Sequence, residues 1–405
     1  MQPFFLIWTG QAFSILGSSI VQFALVWWMT RTTGSATVLA TATFVAFIPE
    51  VLIMPFAGAL VDRWNRRRVM IIADSCVALA TLGLVYLFWQ GLEQLWHVYL
   101  ILFIRSFGVL FHWTAMQAST SLMVPQAHLS RINGMNESLR GALKIVSPPL
   151  AALLIGLLPM FNILAVDVIT AAVAILSLLM VKIPQPERSA VEKTFSARGV
   201  LADVAHGFRY VRAWTGLAMI LLVATLLNFF QAPSTTLLPL LVTQHFNGGI
   251  WHMSIAQSSS WIGILAGGLV LSAWGGTQRR IYTTLGGVIG IAIGVLLQAA
   301  APADWFLLAI FGFALAGFMI AIANGPLYAI LQSRVAPEMQ GRVFALISTV
   351  SSATVPLSMV VAGPLAEWMG VRTWYWIGGV GCLILGVGAL FLRPIVLIEE
   401  ETVHI

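Results

Sequence analysis

Long apolar stretches separated by short polar turns run the whole length of this 405-residue chain. A helix needs about 20 apolar residues to cross the hydrocarbon core of a bilayer. Windows of that kind recur twelve times and predict helices near 4–30, 36–61, 69–89, 96–120, 132–158, 160–182, 214–241, 254–274, 281–300, 304–332, 341–367 and 371–393. Only a tight turn around Pro159 separates the fifth stretch from the sixth, so ten spans is the alternative count. The first stretch starts at Pro3 without a basic segment before it and is too long for a signal-peptide core, which predicts a retained helix. The expected fold class is all-α integral membrane, with twelve transmembrane helices in two six-helix bundles.

Composition agrees with that pattern. Hydrophobic residues make up 59% of the chain and charged ones 9%, against about a quarter in soluble domains. The net charge of +6 does not point to nucleic acid, because the basic residues sit in short turns between spans. With both termini inside the cell, only Arg31 and Arg372 fall outside, and Arg105, Arg140 and Lys144 lie within spans. That leaves sixteen of the 21 Lys and Arg on the cytoplasmic side. The expected location is therefore the inner (plasma) membrane, multi-pass, with both ends cytoplasmic. Cys76 and Cys382 lie far apart in apolar stretches, and no Cys/His spacing suggests a metal site or a disulfide.

The one long loop, 183–213, divides the spans six and six. It predicts four regions: a bundle at 1–182, a cytoplasmic linker at 183–213, a second bundle at 214–395 and a tail at 396–405. Within the linker Val200, Leu201, Val204, Phe208 and Val211 fall on one helical face, as in a helix lying on the inner leaflet. The halves echo each other. Arg66-Arg67 recurs as Arg279-Arg280 and Pro125 as Pro337, offsets of 213 and 212. A parallel repeat of this kind places a substrate path between its halves.

The turn after the second span reads Gly58-Ala-Leu-Val-Asp62-Arg63-Trp64-Asn65-Arg66-Arg67-Arg68. It resembles the loop between the second and third helices of major facilitator superfamily transporters, matching at Gly58, Asp62, Arg63, Arg66 and Arg67. In that reading Gly58 lets two helices approach, Asp62 closes one helix and the arginines open the next. Asn65 replaces a glycine and is expected to tolerate the same left-handed backbone. Asp74, near the inner end of the third span, is expected to partner Arg66–Arg68 in gating.

Further segments are similar to the macrolide-efflux branch of drug:proton antiporters: Ile7–Ser14, Arg31–Ala36, Phe103–Ser106, His245–Gly248 and Gly341–Phe344. The resemblance implies export of amphipathic drugs at the expense of the proton gradient, with no cofactor and no enzymatic activity. Its implied partners are a small-molecule substrate and the lipid bilayer, the protein working as a monomer. Carriers of other small molecules on the same fold (siderophores, lipids, metabolites) are the alternative. No Gly-x-x-x-x-Gly-Lys-Ser/Thr sequence occurs to drive an ATP pump.

Ionisable residues within spans cost about 2.5–3.5 kcal/mol each on insertion scales, so each asks for a reason. From the 1.5 Å helical rise, Glu50 lies about 18 Å, Arg105 about 22 Å and Lys144 about 18–20 Å from the inner surface. Glu50 is expected either to carry the proton, pairing with Arg105 or Lys144 when deprotonated, or to form a permanent ion pair. Asp167 in the sixth span is also deep, and Glu137 lies shallower, at i,i+3 from Arg140. These five, Glu50, Arg105, Lys144, Asp167 and Glu137, form the candidate proton-coupling set. The second half has almost no deep charge. Its stripes are neutral: Asn228, Gln231 and Thr235, then Asn324 and Tyr328. With Gln11, Ser14, Ser18 and Gln22 of the first span, and His112, they form the candidate substrate cavity, or else glue between helices.

Overall fold

The computed structural model describes residues 2–61, 63–185 and 197–400, and of 55, 59, 127, 130, 197–204, 337 and 338 the backbone alone. The order of helices is α1 (Gln2–Thr33), α2 (Ala36–Val61), α3 (Arg66–Gln90), α4 (Leu95–Met123), α5 (Gln126–Leu157), α6 (Met160–Met180) and α7 (Ala197–Ala213). There follow α8 (Thr215–Thr236), α9 (Leu238–Leu240) with a π-helical turn Leu241–His245, α10 (Ile250–Trp274) and α11 (Arg280–Ala300). The chain closes with α12 (Phe306–Arg334), α13 (Pro337–Met369), α14 (Val371–Phe391) and the single turn α15 (Arg393–Val396). Among the described residues twelve helices are long and apolar enough to span a bilayer, all but α7, α9 and α15. The shortest, α6, α11 and α14, have 21 residues and so a length of about 31 Å, matched to the hydrocarbon core. Pro159 caps α6 directly after α5 ends, which decides for twelve spans over ten.

Large apolar side chains such as Leu79, Ile169, Met180, Leu269 and Leu307 point outward. In water these would be liabilities; in lipid they are the solvated face. Since lipid tails are as apolar as leucine, helices associate there by close packing and hydrogen bonds. Apolar clusters fill the interior of each unit, and small and polar residues mark the places where helices come closest.

The chain divides into two compact units. The first comprises Met1–Thr32 with Val45–Ala197, the second Thr33–Phe44 with Arg198–Ile405. The start of α2 therefore belongs with the second unit, where Gly363 of α13 sits against Ala40. There Glu367 Oε2 accepts hydrogen bonds from Ser35 Oγ at 2.9 Å and Thr37 N at 3.1 Å, capping the open N-terminus of α2.

The predicted repeat is visible in how helices pair. In the first unit α3 packs on α4 and α6; in the second, α11 packs on α12 and α14, the same members of each set of six. The same device closes the start of the central helix. Gln185, beyond α6, accepts from Arg66 N at 3.1 Å, and Glu399, beyond α14, accepts from Ile281 N at 3.2 Å.

The linker helix α7 forms where the sequence expects it. Val211 is buried beside Trp214 and Leu217, whereas Phe208 faces outward. The face expected from 200–211 is thus split at its end; Val200, Leu201 and Val204 have side chains outside the described set.

Candidate functional site

In the first unit α1 and α6 touch along a small-residue seam. A side chain on Gly10 or Gly17 would run into Ser177 or Thr170 of α6. That close approach turns Asp167 inward, where it is 1% exposed. It meets the Arg105 guanidinium of α4, itself 6% exposed, in an ion pair through Nη1. Ser18 Oγ donates to Asp167 Oδ1 at 2.8 Å, Thr81 Oγ1 lies 3.4 Å from Oδ2, and Arg105 Nη2 donates to the Ser18 carbonyl at 3.1 Å. Arg105 Nη1 also reaches Thr81 Oγ1 at 3.2 Å. Four helices, α1, α3, α4 and α6, converge on one charge pair. Burial without such partners would be prohibitive. Of the two partners expected for Glu50, Arg105 and Lys144, the first is paired with Asp167, because the α1–α6 seam brings that acid to it.

A second polar group lies nearer the start of α3. Gln11 Nε2 of α1 donates to Asp74 Oδ2 at 3.2 Å, and His112 Nδ1 of α4 lies 2.8 Å from Asp74 Oδ1. The two atoms are close, but the His112 nitrogen makes no aligned hydrogen bond. Asp74 therefore faces His112 and Gln11, not Arg66–Arg68 as expected. Arg66 and Arg67 reach backbone carbonyls. Arg66 Nη1 donates to Ala118 O of α4 at 2.7 Å, and Arg67 Nε to Leu178 O of α6 at 2.7 Å. The α6 carbonyls lie in its last turn, where unpaired C=O groups favour a cation.

Two expectations for this turn need correction. No described atom lies within 4 Å of a Cβ built on Gly58, so the close helix approach is made elsewhere, at Gly10, Gly17 and Gly108. Asn65 is extended (φ −68°), not left-handed, and caps α3 by accepting from Arg68 N at 3.1 Å. Arg63 is exposed, and Asp62 lies outside the described residues.

Glu50 is half-buried on α2 and Lys144 exposed on α5. Glu137 and Arg140 approach to 3.7 Å at the surface of α5, and the Arg140 guanidinium stacks 4.0 Å from the Trp113 ring. In the α1 stripe, Gln11 and Ser18 are committed to Asp74 and Asp167, Ser14 is half-buried, and Gln22 is exposed.

In the second unit Asn228, Gln231 and Asn324 do come together, lining a cavity between α8, α11 and α12. Thr235 and Tyr328 are not in its wall: Thr235 Oγ1 donates to Ala232 O at 2.8 Å, and Tyr328 lies beside Phe344. Thr284 of α11 lines the same cavity and was not anticipated, since α11 shows no polar stripe. Around it the helices lock through glycine. A Cβ on Gly263 or Gly267 would overlap α12 backbone, one on Gly317 would overlap Ser260 of α10, and Gly294 meets Gly312 and Ala316.

The chain as a whole is similar to known proteins. Macrolide efflux protein A of Streptococcus pyogenes is 33% identical over 378 residues, 93% of this chain and 92% of that protein. Multidrug efflux pump Tap of Mycolicibacterium fortuitum is 27% identical, over 93% of this chain and 92% of the pump. The fold is shared with the nucleoside transporter NupG (TM-score 0.73, 15% identity, 97% of this chain and 100% of that one). It is shared equally with a bacterial homologue of the iron transporter ferroportin (TM-score 0.76, 12% identity, 99% of each chain). The Major Facilitator Superfamily profile matches residues 7–357. With the twelve spans and their repeated pairing, this chain belongs to the major facilitator superfamily of membrane transporters.

Proposed function

We propose that the protein exports amphipathic, macrolide-like drugs in exchange for protons, as a monomer with both termini in the cytoplasm. The observation that carries the substrate class is the 33% identity to macrolide efflux protein A over 93% of the chain. The orientation follows from the basic residues of its turns. The energy source is the proton gradient, without a cofactor.

What each deep acid touches supports Glu50 as the proton carrier. Asp167 is enclosed and opposed by Arg105, so protonating it would strand a buried cation. Glu50 is only half-buried, so its carboxylate is not sealed in as that of Asp167 is. Access from outside, under an inward gradient, loads the carboxylate; access from inside unloads it. Gradient-driven macrolide movement in proteoliposomes tests this. Glu50→Gln is expected to lose at least about tenfold of gradient-driven uptake while still binding drug, on the scale of a general acid–base contribution. Undiminished coupling in Glu50→Gln removes Glu50; no macrolide movement by the wild type removes the substrate class. The Asp74–His112 contact favours a second reading, in which that pair carries the proton. Loss of coupling in Asp74→Asn with Glu50→Gln still coupled would select it.

A further inference from the structure

The cavity inside the second unit measures about 140 Å³. Along α8 its wall runs from Ile220 to Gln231, eleven residues or about 16 Å. Ile281 and Ile395 share the Ile220 end. The space is therefore long and slim. A comparable volume, about 150 Å³, holds a benzene-sized molecule in an engineered apolar cavity, whereas drug-sized ligands need roughly 300–1,000 Å³. A whole macrolide does not fit; a chain of about eight heavy atoms does.

The lining carries no ionisable residue. It does carry unspent hydrogen-bonding capacity. Helical threonines elsewhere in this chain (Thr30, Thr81, Thr120, Thr225, Thr354) donate to the carbonyl four residues back. Thr284 does not. It is 5% exposed, and its Oγ1 has no partner among the described residues. Asn228 donates to Ala224 O at 2.9 Å and no described residue bonds the Gln231 amide; both residues line the cavity. In a lipid-embedded bundle, polar groups left this way seek a partner.

We infer that the second unit holds a ligand site of its own for an uncharged, unbranched medium-chain amphiphile. The chain lies along the Ile220–Leu227 wall, and its amide or hydroxyl head meets Thr284, Asn228 and Gln231. A charged head is excluded because nothing in the wall compensates it. The site stands on the geometry of one unit and does not depend on which molecule is exported.

Hexanamide, hexylamine and hexanoate share a chain and differ in charge, so they test the site directly. Saturation-transfer NMR is read on the purified full chain in lipid nanodiscs. Hexanamide is expected to bind saturably, at least about tenfold tighter than either charged probe. Thr284→Val should weaken it about fivefold, the worth of one hydrogen bond. Ala224→Leu, which fills the slot, should abolish it; if that variant does not fold, Val223→Phe fills the same wall. Equal binding of all three probes, no saturable binding, or hexanamide binding that persists in a folded slot-filling variant overturns the proposal.

Discussion

Where α1, α3, α4 and α6 of the first unit meet, the space is filled by Arg105 and Asp167. At the repeat offset that takes Pro125 to Pro337, which is 212 residues, Arg105 falls on Gly317 and Asp167 on Gly379. Gly317 lies against the Ser260 backbone and Gly379 against Leu296. At these matched positions one half thus sets opposite charges and the other sets glycines in close helix contact. Glycine contacts contain nothing that titrates, so they hold at any pH. A charge pair needs atom-level register and depends on protonation. Proton-dependent work is accordingly expected in the first unit and rigid support in the second.

The largest test of this contrast is Asp167→Ala. It leaves the Arg105 charge buried and unpaired and should cost about 3–5 kcal/mol of stability, read as thermal unfolding of the purified protein. Removing both groups, with Arg105→Met added, should restore part of the loss. A double variant as unstable as the single one would mean that the pair is not what joins those helices. Next is Gly317→Ala, whose methyl overlaps the Ser260 carbonyl; about 1–3 kcal/mol should be lost, with no change in pH dependence. Gly268→Ala, where a methyl meets open space, is the matched control and should be nearly silent.

Smaller effects sharpen the picture. Asp74→Asn should cost about 1 kcal/mol through its contacts to Gln11 and His112, while Arg66 and Arg67 keep their carbonyl partners. An equal effect on unfolding from Arg67→Ala and no additivity between the two would show that Asp74 acts with the arginine turn after all. The smallest change is expected for Glu400→Gln. Its 2.8 Å pair with Arg279 is half-exposed, so a few tenths of a kcal/mol should be lost, and nothing at high salt.

Much of this was readable in the chain. Twelve apolar stretches gave twelve helices, because lipid demands that every backbone group be paired within its own segment. The Pro125–Pro337 and Arg66–Arg279 echoes anticipated the paired packing. The partner of Arg105 was not readable, since helix rotation about its own axis is set by packing rather than by hydropathy. A signal did exist: Ala171, Ala174 and Ser177 follow Asp167 at helical spacing, a small-residue face suited to Gly10 and Gly17. Asn65 misled for a related reason: replacing a family glycine suggested a left-handed turn, whereas its place before a helix made it a cap. Thr284 escaped notice because a lone hydroxyl in an apolar helix has no periodicity.

The shared anchor of the first unit also bears on how the protein is made. Helices leave the ribosome in order, and α4 emerges with Arg105 some 62 residues before Asp167 of α6. Until α6 arrives, that arginine is a stranded cation in a forming membrane segment, at a cost of about 2.5–3.5 kcal/mol. The fourth segment can then settle only provisionally, and completion of the sixth should lock the early helices together in one step.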